Sequence, residues 1–458
     1  MSEDALGGLR RIRCSAESGG EALSSLRQLL GAQGQVISPK SRALTERVFG
    51  QALTAQQVVD RVCDDVQARG LPAILHYTEQ FDGVRLDQGT VRVDPANLAK
   101  AHANADPGLL DIVRQIRANV LEFQKLCLPA DPVLHRPDGS TLSLRHTPIE
   151  RVGVHIPGGA AAYPSTLLMT VVPAQAAGVR EIAVVMPPTP GGANNPTMLA
   201  VCHELGIREV YRVGGAQSIA GMAFGGLGKP VDMIVGPGNL FVAMAKKRVY
   251  GSVKIDCIAG PSEVIVLADK TARPDWVAIE MLAQAEHSPG SAILVTWDEG
   301  LWEAAARALV DQLKVIERGD LARECIGQYG AFILAQSEDE AIRITNSFAP
   351  EHLQISSDEA ERLCGRIQNA GAIFVGHHTP VALGDYAAGP SHVLPTGGTG
   401  RHASGLAATD FLKRSSIISY PESALKAIAP VVVGLAREEG LTAHAQSVTR
   451  RLGDRTIQ

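Results

Sequence analysis

Between residues 151 and 269 five short runs of β-type residues recur: "RVGVHIPGG", "EIAVVMPP", "EVYRVGGAQ", "DMIVGPGN" and "SEVIVLAD". Each ends on Gly, Pro or a small polar residue, and a helical stretch follows. A repeat of about 25–30 residues is the length a strand and its returning helix need in a parallel sheet. The pattern therefore dictates an α/β architecture. A second series continues it: helix 275–287, strand "SAILVTW", helix 301–317, strand "AFILAQ", helix 338–347, strand "HLQIS", helix 358–369 and strand "GAIFVG". Two α/β units are expected. Ligands of such sheets bind beyond the carboxyl ends of the strands, which sets "IPGG", "VGGAQ" and "GPGN" along one rim.

The 458 residues exceed what a single core organises, roughly 250–300, so two or more domains are expected. Only 4% of residues are aromatic, against 46 Gly and 26 Pro, which suits tight strand-to-helix turns better than a β-sandwich. A net charge of −5 with no basic block argues against nucleic acid and anionic membranes as partners. No run approaches the ~18 apolar residues of a membrane span, and the acidic start "MSEDALGGLR" is no secretory signal. The seven cysteines are scattered without a CxxC pair and read as reduced thiols of a cytoplasmic protein. Cys257, in "KIDCIAGPSE", reads as a buried structural thiol before it reads as a nucleophile.

Residues 1–50 are mostly helical in pattern. Segment 53–70 is an amphipathic helix with Thr54 as its N-cap, and helical patterning continues to about 127. Residues 128–150 carry "PDGS" between strand-like runs and read as a hairpin or linker. A Gly/Pro-rich loop spans 384–405, and a mainly helical tail runs from 406.

Four places hold residues fit for chemistry. The helix from Asp275, its expected N-cap, to a stop at Pro289 ends in "LAQAEHSPGS". There Gln284 and His287 stand three apart on one face; a carbonyl oxygen and an imidazole nitrogen can both ligate zinc, and hydrogen-bonded surface residues explain them as well. In "SFAPEHLQIS", Glu351 and His352 follow Pro350: either a helix start or an acid–base pair. "GDYAAGPSHVLP" supplies Asp385 and His392, and "REEGLTAHAQSV" supplies Glu439 and His444, with Thr442 as a further N-cap. His377 and His378 read as a solvated turn. The dinucleotide fingerprint GxGxxG is absent; "GPGNLF" keeps only its first two glycines, so the glycines alone make a weak case for NAD.

Taken in order, "GPGN", "AGPSEVIV", "QAEH", "APEHLQI", "GDYAAGPSHVLPT", "DFLKR" and "LTAHAQSV" resemble the histidinol dehydrogenase family, from about residue 50 to the C-terminus. The resemblance implies oxidation of L-histidinol through L-histidinaldehyde to L-histidine, the last two steps of histidine biosynthesis. It implies two NAD used in succession, one zinc ion per site and a homodimer. It further implies two Rossmann-like, doubly wound domains, one inserted in the other. Residues 1–49 would form a helical arm, 50–152 the first part of domain 1, and 153–263 the inserted NAD-side domain. Residues 264–405 would complete domain 1 with the zinc and catalytic residues, and 406–458 would be a tail exchanged between subunits.

Matched motif by motif, the resemblance puts zinc on Gln284, His287, Asp385 and His444, and the catalytic pair on Glu351 and His352. Substrate contacts fall on Ser262, His352, His392, Glu439 and Ser165, together with the zinc-binding residues. Cofactor contacts fall on Gln217, Asn239 and His155, the last standing where the family commonly has Tyr. Ser391 of "GPSH" replaces the commoner Asn. A paralogue oxidising another small polar alcohol, such as a sulfonated diol, is the alternative. A zinc hydrolase lacks its HExxH helix here, and a non-catalytic scaffold would not need Glu351 and His352.

Overall fold

A computed structural model describes residues 8–15, 19–33, 39–158, 162–287 and 290–453, the side chains of 32, 33, 39 and 40 excepted. Pro289, the expected helix stop, and Gly159 of "IPGG" lie outside these residues. The chain divides into two units: Met1–Cys127 with Glu150–Phe411, and Leu128–Ile149 with Leu412–Gln458.

Strand β1 (Arg10–Arg13) opens the described chain, and β2 (Val133–His135) and β3 (Thr141–Pro148) form the hairpin around "PDGS". Then come β4 (Arg151–His155), β5 (Glu181–Val185), β6 (Glu209–Tyr211), β7 (Met233–Val235) and β8 (Lys254–Ile255). Strands β9 (Ser262–Ala268), β10 (Gly290–Thr296), β11 (Ala331–Leu334), β12 (His352–Ser356) and β13 (Ala372–Val375) follow, and β14 (Leu412–Ser419) is the last.

The larger unit holds two parallel sheets. One has the order β6-β5-β4-β7-β8; the other is β1-β11-β10-β9-β12-β13. Without β1 the second repeats the order of the first. In both, the chain starts in the middle, winds outward one way, then reverses, so each sheet has one switch point: β4/β7 and β9/β12. The period-2 pleat feeds both faces of the six-stranded sheet. Val264, Val266, Leu294 and Phe332 pack with helices Pro274–Ala285, Glu299–Gln312 and Gly319–Tyr329. Ile265, Leu267, Ile293, Leu353 and Ile355 pack with helices Gly19–Gln33 and Glu338–Phe348 on the other. Each buried aliphatic side chain contributes about 1.5–3 kcal/mol, and covering both faces is why these strands read as unbroken apolar runs.

The smaller unit is an antiparallel sheet, β14-β3-β2, followed by helices Glu422–Glu438 and Thr442–Thr449.

Several local expectations need correction. The N-terminal segment is not wholly helical: "RRIR" is β1, paired in parallel with β11, with Ile12 buried and the Arg11 and Arg13 guanidiniums over the Trp302 ring. The tail is mainly helical as expected, with β14 preceding its helices. Arg273, not Asp275, caps its helix, since Pro274 takes the first helical position and Asp275 pairs with Arg273 instead. Leu441 replaces Thr442 as a cap, and the helix expected over 358–369 shrinks to Ala360–Cys364. Thr54 does cap its helix, in a reciprocal capping box with Gln57.

Candidate active site

Helix Glu338–Phe348 ends at Ala349, whose φ of 49° is the only left-handed value among the described non-glycine residues. That conformation costs about 1–2 kcal/mol for an L-residue. It turns the chain back through Pro350 so that β12 begins at His352, between Val264 of β9 and Ala372 of β13. Glu351 and His352 therefore open a central strand rather than a helix, at the amino edge of the sheet.

Both side chains are buried. Glu351 Oε2 accepts from Ser262 Oγ at 2.6 Å and from the Glu263 amide at 2.8 Å. His352 Nδ1 lies 3.4 Å from the same carboxylate oxygen and 3.1 Å from the Glu263 carbonyl, which can only accept, so Nδ1 carries a proton. Nε2 faces Asp385 Oδ1 at 3.8 Å. Burial disfavours the imidazolium, but the carboxylates of Glu351 and Asp385 outweigh it and raise the His352 pKa to about 9. The two flanking carboxylates are the reason it lies above the ordinary imidazole value. Burial pushes Glu351 upward, yet His352 and the Ser262 and Glu263 donors outweigh it, and the net direction is down.

The neighbouring loop adds His392, whose Nδ1 donates to the Asp385 carbonyl at 3.0 Å, and Ser391, buried with its hydroxyl donating to the Met169 carbonyl at 2.7 Å. His352 and His392 line one cavity of about 500 Å³. At the same edge of the sheet, helix Pro274–Ala285 runs into β10. Gln284 is buried with its amide nitrogen unpartnered, whereas His287 is exposed just beyond the helix end. A Cβ on Gly290, the first residue of β10, would stand 3.3 Å from the Ser262 carbonyl and 3.6 Å from Gln284 Nε2. Ser262, Gln284, Glu351, His352, Asp385 and His392 are thus linked through direct contacts or this shared neighbour. Ser165 lies half-buried in the first turn of helix Pro164–Ala176. Glu439 and His444 are exposed residues of the smaller unit. Among the described residues no three His, Cys, Asp or Glu side chains gather as a metal cluster. His377 is no free turn residue: its ring meets Ser356 Oγ at 3.0 Å and Asp358 at 3.2 Å.

Sequence reasoning missed Glu263. Its Oε1 accepts from the Gly397 and Glu351 amides, and burial, then the Glu351 charge, raises its pKa to about 7. The available signal was one acid in the apolar run "SEVIVLA". Cys257 is partly buried, and burial pushes its thiol up to about 12, the opposite of an activated nucleophile.

The five-stranded sheet carries a different site at its β4/β7 switch point. Here His155 ends β4, and its Nδ1 donates to the carbonyl of Pro237, just beyond β7, at 2.8 Å. Gly236 has φ of 108°, and a Cβ there would collide with the His155 carbonyl. Beneath this loop a fully buried Lys246–Asp256 ion pair holds both polar groups of Gly236. Lys246 Nζ donates to its carbonyl at 2.9 Å, and Asp256 accepts from its amide at 2.7 Å. His155, Gln217 and Asn239 line a single cavity of about 340 Å³. Helices Gly215–Phe224 and Leu240–Val249 begin at its wall, the second capped by Asn239. Two helix N-termini make an anion-friendly rim without the GxGxxG fingerprint. Burial lowers the His155 pKa to about 4, so the ring is neutral.

Two Rossmann-like parallel sheets, one with a buried imidazole–carboxylate pair and the other with an anion-friendly cavity, define an α/β enzyme with a pair fit for proton transfer. A family model for histidinol dehydrogenase matches residues 46–452. The chain is 55% identical over 438 residues to the histidinol dehydrogenase of Rhodopirellula baltica, covering 95% of each. It is 44% identical to that of Bacillus subtilis, covering 91% of this chain and 98% of the relative. The crystal structure of histidinol dehydrogenase from Elizabethkingia anophelis superposes with a TM-score of 0.87 at 30% identity, covering 98% of both chains. The chain belongs to the histidinol dehydrogenase family.

Proposed function

We propose that this protein oxidises L-histidinol through L-histidinaldehyde to L-histidine, with NAD and zinc, as a cytoplasmic homodimer. The observation that carries the reading is the buried Glu351–His352 pair at the amino edge of the six-stranded sheet, with Ser262 donating to the carboxylate and a partly exposed Asp385 facing Nε2, in a member of this family. Among the described residues no helix is long and apolar enough to cross a membrane.

The donors fit a zinc ion. Gln284 has an orphaned buried amide, whose oxygen and nitrogen are interchangeable by a flip, and Asp385 is too far from His352 for a hydrogen bond. With His287 they make three N/O donors, and His444 would be the fourth, reaching the site of the other subunit along with Glu439. Zinc held there would supply an anchor for the imidazole and amine nitrogens of the substrate and would offset the Asp385 charge beside His352. NAD, which His155, Gln217 and Asn239 would hold, would supply the hydride acceptor for the two oxidations.

The chain's own groups handle the protons. His352 is pinned through Nδ1; once a cation at Asp385 lowers its raised pKa, or above about pH 9, Nε2 is unprotonated and can take the proton of the carbinol hydroxyl. Glu351, held ionised by Ser262 and the Glu263 amide, draws a proton from water to form the aldehyde hydrate. Once that first proton has passed to solvent, His352 accepts another as the hydrate is oxidised. His392, Ser262, Ser165 and Glu439 position the substrate. No thiol is required, in keeping with the high pKa of Cys257.

The test is to count NADH formed per L-histidinol consumed, with and without a chelator. Two NADH, lost on chelation and restored by zinc, is the expected result. No NADH from histidinol, with turnover of a sulfonated diol, would replace this reading by the paralogue.

A further inference from the structure

Eleven buried side-chain polar atoms lack a hydrogen-bond partner among the described residues, and three belong to residues lining the 340 Å³ cavity: Asp82 Oδ2, His155 Nε2 and Gln217 Oε1. Buried polar atoms are nearly always paired in folded proteins, so three around one space point to a ligand. All three are acceptors. Asp82 is a carboxylate, Gln217 presents its amide oxygen, and the His155 proton sits on Nδ1, where it is given to Pro237. The matching ligand presents hydrogen-bond donors.

Asp82 is the member not yet given a role. It is the last residue of helix Leu71–Asp82, and the wall around it is apolar: Val58, Val62, Phe81 and Val242. Among the described residues no Lys or Arg lines the cavity. Burial raises the Asp82 pKa to about 6, which leaves it ionised above neutral pH. A carboxylate without a nearby cation accepts from a sugar hydroxyl and repels a phosphate placed on that hydroxyl.

We propose that Asp82 is the specificity-determining residue of the cofactor cavity, accepting from the ribose hydroxyls of NAD and excluding the 2′-phosphorylated dinucleotide. This rests on the reading of the cavity as the NAD site.

Calorimetric titration of the whole protein at pH 8 with NAD and with NADP separates the two claims. The wild type is expected to favour NAD by roughly 100-fold or more. Asp82→Asn keeps the shape and removes the charge; NAD binding should weaken by about tenfold and the preference should fall below about tenfold, since a charge-assisted hydrogen bond is lost. Asp82→Ala should behave alike. Thermal midpoints should hold or rise in both, because Oδ2 has no partner among the described residues to lose. A wild type that prefers NAD and variants that keep the same ratio would overturn the role of Asp82 alone. A wild type that binds neither dinucleotide overturns it together with the reading of the cavity.

Discussion

The two parallel sheets have the same strand order and the same switch point, yet they present their candidate functional residues at opposite ends. In the five-stranded sheet, His155, Gln217 and Asn239 follow the carboxyl ends of β4, β6 and β7. In the six-stranded sheet, Ser262 and His352 open β9 and β12 at their amino ends. Helix polarity explains what each end is good for. At carboxyl ends helices begin, and their free N–H groups suit an anionic dinucleotide. At amino ends helices finish, as Pro274–Ala285 and Glu338–Phe348 do, and their carbonyls suit cations. A metal ion, an imidazolium and a substrate ammonium are all favoured there. One topology used twice thus yields an anion side and a cation side.

The strongest test of the cation side is Glu351→Gln. It should leave alcohol oxidation within about threefold and slow aldehyde oxidation by roughly 10²–10⁴-fold, read by single-turnover assays with each substrate. Equal loss in both half-reactions would break the division of labour between Glu351 and His352.

On the anion side, Lys246→Met strands Asp256 as a buried unpaired charge and should cost about 3–5 kcal/mol in urea unfolding. The double variant Lys246→Met/Asp256→Leu should recover most of this. No recovery would mean the pair does more than satisfy itself.

An ionic cluster away from both switch points should affect stability alone. Hydrogen bonds from Arg114, and then from His102, hold the Glu204 pKa near 2, below its ordinary 4.5. A depressed carboxyl pKa stabilises the fold above pH 4.5, and the contribution fades as pH falls towards 2. Glu204→Gln should therefore cost about 1 kcal/mol at pH 7 after screening at the half-exposed Arg114, and nothing near pH 2. Acid titration of both proteins, followed by circular dichroism, checks this; a constant gap down to pH 2 would contradict it.

The smallest effect is expected for Cys257→Ala, with activity within twofold. A large loss would return the thiol to the mechanism.

Much of the framework was legible in the chain. The runs at 151–155, 181–185, 233–235 and 262–268 combine β-branched residues with Gly/Pro endings, and local chemistry suffices to define them. β1 escaped because "RRIR" has one apolar residue; its strand state comes from pairing with β11, not from propensity. The helix over 358–369 stops at Gly365, and Asn346, distant in sequence, takes up the backbone groups of 366, 368 and 369 in place of further turns. Asp82, Glu263 and Lys246 were silent as single charged letters in ordinary contexts.

The sequence by itself determined the α/β class, the strand positions and the identity of the motif residues, because turns, periodicity and residue chemistry are local properties. The tertiary structure decided which end of each sheet carries which residues, that Glu351 and His352 open a strand, and which buried polar atoms lack partners. Those outcomes depend on strands and helices far apart in the chain being packed together, and burial, field and hydrogen-bond vacancy exist only after that packing.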